Sequence, residues 1–263
     1  MRDAPMADVI EAGAGPRVVL VHSSGAGARQ WRGTMERLAE RFHLLAPNLH
    51  GYGATPPWPE GRPQTLADQA ALVAPLLRGG GPVSLVGHSF GASVAMRVAA
   101  EHPDRVRRLV LLEPNPFWLL RLHGRAEAFA EVERLRDLLC GAADDAAWEA
   151  AGARFADYWN GAGTWAAMPE ARRARFLHAL RPNRHEWAAV MDEAGTVDAW
   201  AARLPRATTV IAAADTVRPI AGIVALLRNA SPGWRFETLP EGGHMAPLSR
   251  PDLVEPLMEA ALH

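Results

Sequence analysis

Five residues, Gly87-His88-Ser89-Phe90-Gly91, carry the strongest chemical signal in the chain. An apolar run at 82–86 (PVSLV) leads into them, and 91–101 follows with helical spacing. A serine on a sharp strand-to-helix turn needs small residues two places before and two after it, because both press on neighbouring backbone. The turn lifts the hydroxyl above the sheet at a helix N-terminus, where the dipole and free N–H groups favour an oxyanion. Ser89 is therefore the candidate nucleophile. Such a serine needs a base, and the base needs an acid that orients it. The chain holds ten histidines, so position has to choose among them. Two carboxylates stand just past apolar runs that read as buried strands: Glu113 after 109–112 and Asp215 after 208–212.

The elements that would hold these groups are legible as an alternation. Near-continuous apolar runs at 17–21, 42–46, 82–86 and 109–112 read as strands buried on both faces. Helical patterns lie between them at 29–41, 66–77 and 91–101, with a Pro- and Gly-rich loop at 47–63. His102-Pro103 closes the third helix, since proline cannot continue it. This order predicts a parallel sheet with helices on both faces and right-handed crossovers. The stretch 115–205 shows no strand pattern and is rich in Ala, Arg and Glu at helical spacing. It holds six of the nine tryptophans. Strand-like runs return at 208–212 and 235–239, with helices at 220–227 and 252–262.

Composition excludes several classes. The 263 residues suit one large domain, or one with an insertion, and 49 % are hydrophobic. The formal net charge of −1 gives no basic excess for nucleic acid and no sign of a membrane-surface protein. There is no lysine, hence no Schiff-base nucleophile, pyridoxal-phosphate anchor or Walker-type phosphate lysine. Single Cys140 allows no intrachain disulfide and reads as a buried thiol at the end of an amphipathic helix. The start shows no leader pattern, and no apolar stretch approaches membrane-spanning length, so a cytoplasmic protein is expected. No metal motif and no cofactor are expected.

The elbow and the order of elements resemble the α/β-hydrolase superfamily over nearly the whole chain outside 115–205. The resemblance implies an α/β-hydrolase fold, a mostly parallel central sheet with helices on both faces and an inserted helical cap. The core would be 1–114 and 206–263, and the cap 115–205. Gly242-Gly243-His244 resembles the family's catalytic histidine loop, and His244 comes last in the family order Ser, Asp, His. By the same resemblance Asp215 is the preferred acid. Glu113 is its rival, because some hydrolases of this fold place the acid after that strand. The backbone N–H groups of Ser24, in His22-Ser23-Ser24-Gly25, and of Phe90 would form the oxyanion hole. His22, Ser23, Trp118, Tyr158, Trp159 and Met245 are candidate substrate contacts, although His22 reads first as a brace of the loop and each aromatic first as packing of the cap onto the core. Asn48 stands where relatives usually carry Asp in a D-x-x-G-x-G segment.

The expected partner is a small-molecule acyl compound, and the expected reaction is hydrolysis of a small or medium, fairly apolar ester, thioester or lactone. Carbon–carbon bond hydrolysis, perhydrolysis and acyl transfer use the same triad, and a non-catalytic ligand-binding relative is the alternative of another class. Serine at the elbow sets the chain apart from haloalkane dehalogenases and epoxide hydrolases of this fold, which use Asp there.

Overall fold

A computed structural model describes residues 6–263. The first five residues, on which the reading of the start partly rests, lie outside the described residues. The strands are β1 (Val9–Ala12), β2 (Arg17–Val21), β3 (His43–Pro47), β4 (Val83–His88), β5 (Val106–Leu112), β6 (Thr208–Ala213) and β7 (Arg235–Leu239). They form one sheet in the order β1-β3-β2-β4-β5-β6-β7. Only β1 pairs antiparallel, against β3. This short edge strand was not anticipated.

Alternate residues along each inner strand serve two different cores, as the period of two requires. Val19 and Val21 face one, Val18 and Leu20 the other. Burial on both faces is why these strands read as continuous apolar runs. On one face lie α2 (Leu66–Val73) and α3 (Phe90–Glu101), on the other α1 (Arg32–Leu38) and a C-terminal helix (Pro251–Leu262) that packs through Val254, Met258 and Leu262. The helix expected at 66–77 changes at Ala74 into a 3₁₀ turn, where Pro75 has no N–H to continue the ladder.

Between β5 and β6 run seven helices: α4 (Trp118–Leu122), α5 (Ala126–Cys140), α6 (Asp145–Asn160), α7 (Thr164–Ala167), α8 (Glu170–Leu180), α9 (Asn183–Met191) and α10 (Val197–Ala201). Cys140 is exposed, contrary to the buried thiol expected. Val132, Leu135 and Leu139 form the buried stripe of α5, and the next residue is rotated by a helical step of about 100°. After β6 come α11 (Arg218–Ala230), α12 (Ala246–Ser249) and α13, the C-terminal helix above. No helix among the described residues is long and apolar enough to cross a membrane.

The parallel register carries the consequence for chemistry. His88 pairs with Leu112, and Leu112 with Ile211. The residues that leave the carboxyl ends of β4, β5 and β6 therefore emerge side by side, where open α/β sheets build their sites.

Candidate active site

Ser89 follows β4 with φ 54° and ψ −118°, a strained conformation for a residue with a side chain. Close packing explains both flanking glycines. A Cβ on Gly87 would stand 2.3 Å from the Gly91 carbonyl oxygen, and one on Gly91 would stand 2.3 Å from that of Val21. The backbone of β2 thus sits directly against the first turn of α3. Among the described residues only one other non-glycine has positive φ: Glu113, at 49°, just after β5. Strain of this kind persists only where surrounding structure over-determines it.

The two strained residues converge on one imidazole. His244 Nε2 lies 2.9 Å from Ser89 Oγ. Its Nδ1 faces Glu113 Oε2 at 3.4 Å, a long hydrogen bond. Glu113 is 1 % exposed. Its Oε1 accepts the Ala213 N–H at 2.6 Å, and its Oε2 accepts the Thr216 hydroxyl. In this arrangement Nδ1–H donates to the carboxylate and Nε2 is free to accept the serine proton.

The geometry departs from the sequence expectation for the acid. Asp215 is exposed and hydrogen-bonds backbone, accepting Gly243 N–H at 2.9 Å and Gly242 N–H at 3.3 Å. It ties down the loop that carries His244 without reaching the ring. Adjacent strand ends offer two carboxylates to one histidine, and the positive φ at Glu113 accompanies the approach of the longer side chain.

A buried polar relay ties the loops together. The Ser23 N–H donates to Gln30 Oε1 at 3.0 Å, so the Gln30 amide nitrogen must be the atom 3.1 Å from His88 Nδ1. His88 is then protonated at Nε2 and donates to the His244 carbonyl at 2.9 Å. Burial, and then the neighbouring His244, push His88 down to about 3. His22 is equally buried and lowered to about 4, because burial penalises the imidazolium. Its Nε2 accepts the Leu49 N–H at 3.1 Å. Both rings are neutral spacers, and His22 braces its loop. Asn48 still bridges segments, accepting the Ala28 N–H and donating to Asp8.

Glu186 in α9 is the buried group that sequence reasoning missed. It accepts the hydroxyls of Ser24 and Tyr52 and the Asn183 amide. Tyr52 in turn accepts the Gly25 N–H at 2.8 Å. Burial raises the Glu186 carboxyl, opposed by those hydrogen bonds, and raises Tyr52 well above the ordinary phenol. Through Glu186, helix α9 grips the loop after β2. The backbone N–H groups of Ser24 and Phe90 donate to no protein group among the described residues. A glutamate at i+3 from Asn183, on the same helical face as Trp187 and Val190, was the available signal.

A cavity of about 190 Å³ opens over Ser89. Ser23, Ser24, Phe90, Trp159, His244 and Met245 line it, together with Asn183, Glu186 and Trp187 of α9. Trp159 packs its ring 4.3 Å from that of His244. Three expected contacts lie elsewhere. Trp118 is wholly buried, packs at a tilt against Trp200 and donates to the Gly195 carbonyl. Tyr158 turns one step away from Trp159 and donates to Glu131. His22 lies behind the loop that it braces.

A mostly parallel seven-stranded sheet with serine, histidine and carboxylate at its carboxyl edge defines an α/β fold of the hydrolase type. The chain belongs to the alpha/beta hydrolase family, whose model matches residues 18–257. It is 42 % identical over 100 residues to lipase LipV of Mycobacterium tuberculosis, covering 37 % of each chain. It is 34 % identical over 131 residues to the pimeloyl-[acyl-carrier protein] methyl ester esterase of Chromobacterium violaceum, covering 49 % of this chain and 50 % of that one. The matches thus span half or less of the length of these curated relatives. The crystal structure of a hydrolase from Pseudomonas aeruginosa superposes with a TM-score of 0.77 at 27 % identity, covering 97 % of this chain and 93 % of that one.

Proposed function

We propose that this protein is a serine hydrolase that cleaves a small or medium, fairly apolar carboxylic ester, with thioesters and lactones as near variants. The observation that carries the reading is the chain Ser89 Oγ, His244 Nε2 at 2.9 Å and Glu113 against Nδ1, set in the floor of the cavity. The esterase and lipase named among the relatives are consistent with it.

In the proposed mechanism His244 takes the Ser89 proton as Oγ attacks the acyl carbon. The Ser24 and Phe90 N–H groups hold the developing oxyanion, each worth ~3 kcal/mol in the transition state. His244 then protonates the leaving alcohol, and water repeats the two steps to release the acid. Glu113 fixes the imidazole tautomer and stabilises the imidazolium. Asp215 positions the His244 loop through Gly242 and Gly243. The helices over 115–205 act as a cap, and their aromatic lining selects an apolar substrate.

Nitrophenyl esters from acetate to decanoate test the reaction and the assignment of the acid together. Turnover should appear at short or medium chain length. Glu113→Gln should lower kcat by roughly three to four orders of magnitude, with a smaller loss for Asp215→Asn. A larger loss in Asp215→Asn would return the acid role to Asp215. No turnover on any ester would count against the reaction itself.

A further inference from the structure

Two backbone groups of fixed polarity end the relay through Gln30 and His88. At one end the Ser23 N–H, which can only donate, lies 3.0 Å from Gln30 Oε1. At the other the His244 carbonyl, which can only accept, lies 2.9 Å from His88 Nε2. The Gln30 amide nitrogen and His88 Nδ1 meet between them at 3.1 Å. These ends leave one proton arrangement for a neutral chain. Gln30 Oε1 accepts the Ser23 N–H and, at 2.8 Å, the Ser23 hydroxyl. Its nitrogen donates to His88 Nδ1, and His88 Nε2–H donates to the His244 carbonyl. Gln30 itself is half-buried in the 3₁₀ turn Ala28–Trp31, just past the loop that carries Ser24.

We propose that Gln30 is a positioning residue for catalysis: a neutral amide that holds the oxyanion loop with its oxygen and, through His88, the backbone of His244 with its nitrogen. This rests on the hydrolase reading and deepens it, because the oxyanion donor and the base then share one support.

Each end of the bridge bears on a group whose direction matters. The Leu49 N–H occupies His22 Nε2, so His22 Nδ1–H donates to the Ser23 carbonyl, at 2.8 Å. That carbonyl shares one planar peptide unit with the Ser24 N–H. With its N–H, hydroxyl and carbonyl all engaged, Ser23 sets where the Ser24 N–H points. At the far end, the His244 carbonyl belongs to the residue whose Nε2 meets Ser89 Oγ at 2.9 Å. His88 also directly precedes Ser89 in the elbow. The residue type follows from the two ends. The bridge needs an acceptor and a donor on one planar group, and glutamine offers both without charge. A carboxylate would turn a second acceptor on the His88 lone pair, and a hydrocarbon would leave the Ser23 donors unmatched. Neutrality serves the base as well. The His88 and His244 ring centroids are 5.4 Å apart, and a cation at His88 would oppose the imidazolium that His244 becomes. The titratable groups that act on His88 are His244 and His22, and no carboxylate bonds to its ring among the described residues.

Two measurements test this. The first is kinetic, on a nitrophenyl ester, with folding checked by circular dichroism. Gln30→Met keeps the length and loses both hydrogen-bonding atoms. Its kcat should fall by about tenfold to a hundredfold, with KM changed less. In Gln30→Glu, a proton held between the carboxyl and His88 Nδ1 rebuilds the bridge. At about pH 6 this variant should therefore keep more of kcat than Gln30→Met. A residue that only filled space would give the reverse order, because a part-buried carboxyl costs more than a thioether. Unaltered kcat in Gln30→Met, or a Gln30→Glu rate no better than that of Gln30→Met, overturns the assignment. The second measurement needs no Gln30 variant: nitrogen NMR of protein labelled at histidine, with His88 assigned by its loss in His88→Gln. At about pH 7 His88 should be the neutral Nε2–H tautomer with Nδ1 accepting a hydrogen bond. The other tautomer, or an imidazolium, overturns the bridge. No ester turnover in the unaltered protein would sink the hydrolase reading and the role of Gln30 with it. Turnover that Gln30→Met leaves unchanged would sink the role of Gln30 alone.

Discussion

Ser89 and Glu113 hold their side chains on strained backbone at the ends of neighbouring strands, and the histidine between them has the Glu113 carboxylate, the Ser89 hydroxyl and neutral His88 as partners. His88 is one of those partners, and its environment makes a testable statement about pH. In the folded protein His88 sits at about 3 and His22 at about 4, against an ordinary value of 6.5, because burial disfavours the charged ring. As pH falls below the unfolded value, the unfolded chain takes up protons that the folded protein refuses. The stability these rings allow is therefore complete above the unfolded value and is lost as pH drops toward their folded values. The raised Glu186 works in the opposite direction, so the comparison has to isolate one ring. Urea midpoints at about pH 7 and about pH 4.5 should differ less in His88→Gln than in the unaltered protein. An equal acid fall in both would contradict a depressed His88. Ser89 was legible in the sequence because its constraint is local: two glycines, a strand before and a helix after. Glu113 was not selected over Asp215. Both end adjacent parallel strands, and a backbone φ, which no residue pattern prints, accompanies the choice.

At the scale of elements, the loop after β2 and helix α9 act as one unit. Glu186 holds Ser24 directly and Gly25 through Tyr52. These partners stand 162 and 134 residues away in sequence, so no local pattern could announce them. The weak amphipathic character of α9 hides a polar cluster that only tertiary packing assembles. The edge strand β1 escaped notice for a related reason: its four residues, three half-buried and Glu11 exposed, lack the long apolar run that marked the inner strands. If the Ser24 N–H is an oxyanion donor, loosening its loop should cost rate. Glu186→Leu should lower kcat on a nitrophenyl ester by about tenfold to a hundredfold, with KM changed less. Glu186→Gln, which keeps one acceptor oxygen, should fall less. Retained kcat in a folded Glu186→Leu variant, checked by circular dichroism, would remove α9 from the positioning of the loop.

Across the whole molecule, the carboxyl ends of the strands hold the candidate reacting groups, and the stretch between β5 and β6 supplies much of the cavity wall. The alternation of apolar runs and helical patterns made the sheet legible, and the absence of strand patterning made 115–205 legible as helical. Which aromatics face the cavity was not legible. Trp118 and Tyr158 pack away from it, whereas Trp159, one residue from Tyr158, lies against His244. A helix places successive side chains about 100° apart, so neighbours in sequence serve different surfaces. The proposed function depends on Ser89 forming an acyl-enzyme. The direct measurement is mass spectrometry of the intact protein and its peptides after treatment with a fluorophosphonate. A single adduct on the peptide carrying Ser89, absent in Ser89→Ala and strongly slowed in His244→Ala, is the expected result. An unlabelled Ser89, or an adduct on another residue, would contradict the assignment of the nucleophile.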